Sequence, residues 1–213
     1  MRVRQKGFVP IFLFRYFNIR WGQNTEWSKA VRIILPKTMH QVDFAYGPFF
    51  FLIGPVRGGG DWQYACCLEI QKHIPHFTAA IPCRYGKDHP LFAFCADGLE
   101  YQFDRQLSWE RYYIALAARV RWCPSAVIAW LPTESKVAPH PGPEPYAMDT
   151  RGEIGEWRGQ MMYDPSIRFV IGAEAGFFGL SQIQRNFDKA LRTQFPIYPT
   201  LAETVAAAVK KAK

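Results

Sequence analysis

Glu153 is the residue of this chain best placed for covalent chemistry. It stands in the run Thr150-Arg151-Gly152-Glu153-Ile154-Gly155-Glu156-Trp157, which predicts the start of a helix over residues 150–163. The helix dipole favours an anion in the first turn, so we expect Glu153 to be ionised at neutral pH. An ionised carboxylate can attack an anomeric carbon or stabilise an oxocarbenium-like state. The alternative is a glutamate whose only role is favourable electrostatics at a helix start.

A second candidate is the glycine turn, residues 54–60, which reads Gly54-Pro55-Val56-Arg57-Gly58-Gly59-Gly60 and follows an apolar strand over residues 49–53. Glycines allow positive φ angles and a close approach of the backbone to a ligand. Their amides, at the start of a following helix, favour an anion or a sugar hydroxyl, and Arg57 adds a bidentate donor for phosphate. The pattern is neither G-x-G-x-x-G nor a P-loop. A sharp strand-to-helix turn without a ligand remains the alternative.

Four further residues, at the starts of two predicted helices, are candidates for a ligand site. Asp61 is a plausible N-cap for a helix over residues 61–74, and Trp62 follows it. Trp109 and Glu110 are predicted to open a helix over residues 109–121 that Ser108 caps. Trp109 could stack on a planar ligand and Glu110 could give or take a proton. The alternative is a core tryptophan beside a surface glutamate.

Strands and helices alternate along the chain, which predicts βαβ units and a mainly parallel sheet. We expect an α/β protein with a flavodoxin-like, doubly wound, five-stranded sheet, to which residues 31–35 add an edge strand. Ligands of such folds bind beyond the carboxyl ends of the strands, where both the glycine turn and Glu153 fall. The five strands are predicted at residues 49–53, 77–81, 126–131, 168–171 and 195–198.

Length and composition limit the classes of protein. The 213 residues fit one domain over residues 29–213, preceded by a basic extension over residues 1–28. Residues 1–37 carry +7 of the net charge of +8, so a fold-wide nucleic-acid surface is disfavoured, although a basic arm could touch an anionic partner. The five cysteines include no C-x-x-C pair, and the histidines are scattered, so we expect reduced thiols and neither a metal nor a cofactor.

The same composition bears on location. No apolar run approaches the ~18 residues that a membrane-spanning helix needs, so we expect no membrane partner. A cytoplasmic location follows from the cysteine usage. Residues 1–20 are basic and free of acids, which leaves mitochondrial targeting open.

Together these motifs resemble the nucleoside 2-deoxyribosyltransferase family, including its 2'-deoxynucleoside 5'-phosphate N-hydrolases. The resemblance spans residues 31–195 and is carried by four stretches of sequence. They are Phe51-Leu52-Ile53-Gly54-Pro55, similar to the first strand and sugar-binding turn; Val56-Arg57-Gly58-Gly59, similar to the phosphate turn; Gln106-Leu107-Ser108-Trp109-Glu110, similar to a Trp-Glu helix start; and Glu153-Ile154-Gly155, similar to the start of the nucleophile helix.

The resemblance implies that Glu153 attacks the anomeric carbon of a 2'-deoxynucleoside or its 5'-monophosphate, and that water or a second base resolves the glycosyl-enzyme. Asp149 is then the nearest candidate for the catalytic aspartate that contacts the base. Gly54, Pro55, Arg57, Gly58, Gly59, Asp61, Trp62, Trp109 and Glu110 would bind the substrate. Family members are typically homo-oligomers. The long proline-rich loop over residues 132–148 departs from the family, so a catalytically inactive nucleotide-binding or assembly protein on the same fold stays an alternative.

Overall fold

Six parallel strands form one sheet in a computed structural model of the chain, which describes residues 30–36, 39–83, 85–95 and 103–213. The predicted α/β, doubly wound class is confirmed, with the predicted edge strand added to five others. The basic extension over residues 1–28 lies outside the described residues. The strands are β1 (Val31–Ile34), β2 (Phe49–Ile53), β3 (Phe77–Ala80), β4 (Ser125–Leu131), β5 (Phe169–Ala173) and β6 (Ile197–Tyr198).

Five helices cover the two faces of this sheet in the described part of the chain. They are α1 (Trp62–His73), α2 (Phe103–Arg119), α3 (Met148–Tyr163), α4 (Leu180–Leu191) and α5 (Leu201–Lys211), and a short 3₁₀ helix spans Pro90–Phe94. Helices α1 and α5 pack together on one face, whereas α2, α3 and α4 share the core on the other. The sheet is therefore the middle layer of three.

Strand β2 shows why the sequence builds this arrangement. All five of its residues are fully buried and apolar. Phe49, Phe51 and Ile53 join the core under α2 and α3, whereas Phe50 and Leu52 join the core under α1 and α5. Because successive side chains of a strand point to opposite faces, a continuous apolar run is what a strand covered on both faces requires.

Two predicted helix starts are wrong. Helix α2 begins at Phe103, so Ser108 lies inside the helix instead of capping it. Helix α3 begins at Met148, after Ala147 in the left-handed conformation at φ 60°. By contrast, the Thr200 cap of α5 is confirmed, since its hydroxyl oxygen accepts a hydrogen bond from the backbone N–H of Glu203 at 3.2 Å.

All five cysteines lie within the described residues and form no disulfide, and four of them are buried. None of the helices in the described part of the chain is long and apolar enough to cross a bilayer.

Candidate functional site at the carboxyl edge of the sheet

The strand order reverses direction between the carboxyl ends of β2 and β4. The sheet runs β1-β3-β2-β4-β5-β6, so the chain leaves β2 towards β3 on one side and then crosses to β4 on the other. Such a reversal is a topological switch point, where open α/β sheets bind ligands. The glycine turn follows β2 and the loop over residues 132–146 follows β4. The glycine turn and this loop therefore flank the switch point.

Direct contacts join these two segments. The backbone N–H of Ser135 donates to the carbonyl oxygen of Gly58 at 2.7 Å. Gly58 has φ +77°, and a Cβ there would lie 2.9 Å from the backbone nitrogen of His140 and 3.1 Å from the Tyr146 ring. Tyr146 in turn donates its hydroxyl proton to the carbonyl of Pro132 at 3.0 Å. The proline-rich loop thus packs directly on the glycine turn.

These contacts give most of the glycines a structural reason. A Cβ on Gly54 would lie 2.4 Å from both the Trp130 carbonyl oxygen and the Trp62 ring. A Cβ on Gly59 would lie 2.7 Å from the carbonyl oxygen of Pro55. Among the glycines of this turn, Gly60, with φ +70°, is the only one at which a Cβ would meet nothing within 4 Å. Close backbone packing explains Gly54, Gly58 and Gly59, and the backbone at Gly60 is the part of the turn left open to a ligand.

Arg57 projects from this turn. Its side chain is exposed, and no carboxylate among the described residues forms an ion pair with it. Arg57 is therefore not held in place by an ion pair with any described carboxylate.

The two tryptophans that the resemblance names as substrate-binding residues are buried. Trp62 is 5% exposed, and its indole N–H donates to the carbonyl of Pro55 at 2.9 Å. Trp109 is 3% exposed and packs on Phe51 and Tyr113, with ring centroids 5.9 and 4.9 Å away. Both rings hold the turn and helix α2 on the sheet, which favours the core role that the sequence left open for them.

Asp61 makes a contact that the sequence did not reveal. It is the N-cap residue of α1, as predicted, but its side chain makes no capping hydrogen bond. Its carboxylate instead lies 3.0 Å from Nε2 of His89, whose Nδ1 accepts from the backbone N–H of Leu91 at 3.0 Å. Because Nδ1 is an acceptor, a neutral His89 carries its proton on Nε2 and donates it to Asp61. Burial raises the pKa of Asp61, and the contact with His89 opposes that rise.

Glu153 lies in the second turn of α3, since the helix starts earlier than predicted, and Asp149 occupies the first turn. Glu153 is partly buried, and burial is the main cause that raises its pKa to about 8. The negative charges of Glu110, Asp149 and Glu156 raise the pKa further, in that order. The expectation that the helix dipole keeps Glu153 ionised is therefore wrong, because the dipole acts mainly within the first turn while desolvation and like charges act here.

Glu110 enters the same group from helix α2. Its carboxylate accepts a hydrogen bond from Nε2 of Gln106 at 2.8 Å, and burial and the charge of Asp149 raise its pKa. We call Glu110, Asp149 and Glu153 the carboxylate cluster. The raised pKa values of Glu110 and Glu153 favour their protonated forms, so these two side chains can supply both an ionised carboxylate and an acid.

Sequence reasoning missed the roles of Gln106 and Glu174. Gln106 was visible only as part of a motif, although its spacing of four residues from Glu110 on a helix predicts their contact. Glu174 directly follows β5 and accepts from the backbone N–H and the hydroxyl of Thr133, at 2.8 and 2.6 Å. The signal for Glu174 was its place immediately after a buried strand, at the same edge of the sheet.

A cavity of about 580 Å³ lies elsewhere, at the opposite edge of the sheet. Its wall is formed by the carboxyl ends of α3, α4 and α5 and the start of β5, including Met161, Phe169, Leu191 and Lys211. None of the predicted site residues lines it. Within the described residues, no three His, Cys, Asp or Glu side chains are arranged to hold a metal ion.

Fold and site together define a doubly wound α/β protein with a carboxylate cluster and a glycine turn at the carboxyl edge of its sheet. In comparisons with known proteins, no family model and no curated protein matches the chain.

Proposed function

We propose that this protein cleaves or transfers the N-glycosidic bond of a 2'-deoxynucleoside or its 5'-monophosphate, with Glu153 as the nucleophile. The observation that carries the proposal is the carboxylate cluster, in which Glu110 and Asp149 act electrostatically on Glu153 close to the start of α3. The strand order supports it, because β4, which leads to α3, neighbours β2, which leads to the glycine turn.

The chemistry suits this group of side chains. Loss of a base from C1' builds positive charge on the sugar, and a cluster of carboxylates stabilises that charge. An ionised Glu153 then forms an ester with C1', which water hydrolyses or a second base displaces. Because burial and the neighbouring charges raise the pKa of Glu153 to about 8, Glu153 must lose a proton before it can attack.

The phosphate proposal rests on the glycine turn. Arg57 is exposed there, and the backbone at Gly60 opens to solvent at the start of α1. A guanidinium and helix N-terminal amides suit a 5'-phosphate better than an uncharged hydroxyl. A monophosphate is therefore the substrate that this turn favours over a nucleoside.

The second candidate is a nucleotide-binding protein without turnover. Two observations favour it: burial raises the pKa of Glu153 to about 8, and Gly58 approaches its own chain instead of open space. A binder would retain affinity for nucleotides while releasing no base. We also propose that the protein is a homo-oligomer, as the family resemblance implies, and that it is cytoplasmic, as the cysteine usage indicates. The exposed Met148 and Phe178 offer apolar contact surface. Sedimentation of the purified chain tests the oligomeric state.

The test is incubation with a panel of 2'-deoxynucleosides and their monophosphates, followed by chromatography of free bases, with and without an acceptor base. We expect release or exchange of base from at least one substrate. Glu153→Gln should lower the rate by several orders of magnitude, because a nucleophile has no substitute at its position. The matched control is Glu156→Gln, on the same helix and exposed. Activity that survives in Glu153→Gln would contradict the assignment.

A further inference from the structure

The cavity at the opposite edge of the sheet has an apolar wall of small-molecule size. Its volume of about 580 Å³ lies within the range of roughly 300–1,000 Å³ that is usual for ligand sites. Met161, Phe169 and Phe195 are buried in this wall, and Leu191 and Tyr198 are partly buried beside them. Because a methionine side chain is flexible, it adapts to the shape of an apolar ligand. The wall therefore suits an apolar body.

The charged residues that line the cavity are both basic. Arg192 follows α4 and Lys211 ends α5, and no aspartate or glutamate stands with them among the described lining residues. Although Lys211 as a whole is exposed, its Nζ donates to the carbonyl oxygen of Phe169 at 3.4 Å, which is longer than a usual hydrogen bond. Burial lowers the pKa of this ammonium group. The cavity thus combines an apolar wall with positive charge.

Carboxylates near the wall do not neutralise this charge. Asp164 and Asp188 lie within two residues of lining positions in the sequence. Asp164 pairs with Arg121 at 3.4 Å, and Asp188 accepts from the backbone N–H of Phe195 at 2.8 Å. Within the described part of the chain, no carboxylate forms an ion pair with either basic side chain of the cavity. Their charge is therefore available to a ligand.

We propose that this cavity binds an organic monoanion with an apolar body, of the class of medium-chain fatty carboxylates. The chain packs against the apolar wall, and the carboxylate accepts hydrogen bonds from Lys211 and Arg192. The carboxyl ends of three helices meet here and carry partial negative charge, which favours a monoanion over a phosphate dianion. The site is separate from Glu153, so the inference does not depend on the proposed function.

Methionine methyl groups report directly on this cavity. The chain has five methionines, of which Met161 and Met162 line the cavity, whereas Met39 and Met148 do not. The experiment labels these methyl groups with ¹³C and follows their NMR signals while the full chain is titrated with octanoate, decanoate or 1-octanol. Single methionine-to-leucine variants assign the signals. We expect octanoate to shift the signals of Met161 and Met162 and to leave those of Met39 and Met148 in place.

Affinities should depend on both parts of the ligand. Decanoate should bind about tenfold more tightly than octanoate, because each buried CH₂ strengthens binding roughly three- to fourfold. Octanoate should bind about tenfold more tightly than 1-octanol, because a hydrogen bond between charged groups is stronger than one to a neutral hydroxyl. Lys211→Met keeps the apolar stem and should remove most of the preference for octanoate. Lys210→Met, on the same helix but outside the lining, is the matched control and should keep that preference.

Four results would overturn the inference. They are equal affinities of wild type for octanoate and 1-octanol, a Lys211→Met variant that keeps the full preference, no shift at Met161 and Met162, and shifts of similar size at Met39 and Met148. The second result would show that Lys211 serves only the end of its helix. Signals of Met161 and Met162 that change on dilution without ligand would show that a second copy covers this face, and would also overturn it. Ala207→Trp should fill the cavity and abolish binding, and the comparison of octanoate with 1-octanol in wild type decides the matter if that variant does not fold.

Discussion

Glu153→Gln should make the protein more stable while removing its activity. The fold favours the neutral form of Glu153, since burial and the charges of Glu110, Asp149 and Glu156 raise its pKa from 4.5 to about 8. Glutamine imitates the neutral carboxyl group in size and removes the charge. A residue retained for chemistry at the expense of stability would show this combination, whereas a structural glutamate would show a loss of stability.

The size of the effect follows from linkage. A rise from 4.5 to about 8 corresponds to about 5 kcal/mol at ~1.4 kcal/mol per pKa unit. Glu153 keeps some contact with water, and its neighbours can share the charge. We therefore expect Glu153→Gln to raise the unfolding free energy by about 2 kcal/mol at high pH. For a domain of this size that corresponds to a rise in melting temperature of roughly 4–8 °C.

The sign depends on pH. Below pH 4.5, the ordinary pKa of glutamate, Glu153 is neutral in both the folded and the unfolded protein, so wild type and Glu153→Gln should be equally stable. As pH rises from 4.5 to about 8 the unfolded carboxyl group ionises while the folded one resists. The wild type therefore loses stability relative to the variant across this window, and the difference becomes constant above it.

Urea denaturation at pH 5, 7 and 9, followed by tryptophan fluorescence, measures this difference. Glu156→Gln is the control, and we expect it to change the unfolding free energy by less than ~0.5 kcal/mol, as exposed substitutions usually do. A Glu153→Gln variant that is no more stable than wild type at pH 9 would refute the argument from burial and charge repulsion.

Three other substitutions test separate features. Arg57→Ala should remove most of the preference for a monophosphate over its nucleoside, about 1.5–3 kcal/mol or roughly one to two decades in affinity by calorimetry, and equal wild-type affinities would contradict the phosphate role. Gly58→Ala should destabilise the protein more than Gly60→Ala, because both residues have positive φ but only at Gly58 would a Cβ meet backbone, 2.9 Å away. We expect ~1 kcal/mol for Gly60→Ala and at least ~2 kcal/mol for Gly58→Ala in urea denaturation, and equal losses would show that the loop contact adds nothing. Thr200→Ala should cost about 1 kcal/mol through loss of the helix cap, a figure that thermal melts can check, and an unchanged melt would mean that the cap contributes nothing.

The sequence alone determined the fold class and the edge of the sheet that carries the site. Apolar runs such as residues 49–53, bounded by glycine and proline, specify strands locally, and the helix cap at Thr200 is a contact between residues close in sequence. Alternation of strands and helices then implies parallel strands with their carboxyl ends at one edge. Both Glu153 and the glycine turn follow strand ends, so their shared edge was predictable without coordinates.

Only the tertiary structure decided the chemistry available at that edge. The strand order puts β2 beside β4 and so creates the switch point, and no local pattern fixes strand order. The pKa of Glu153 depends on Glu110, which is 43 positions earlier, on a helix that shares one apolar core with α3. Gly58 likewise packs against His140, which lies in the loop that follows β4. Helix propensity and spacing act over a few residues, whereas desolvation, charge repulsion and close packing depend on residues that the folded chain brings together from distant positions.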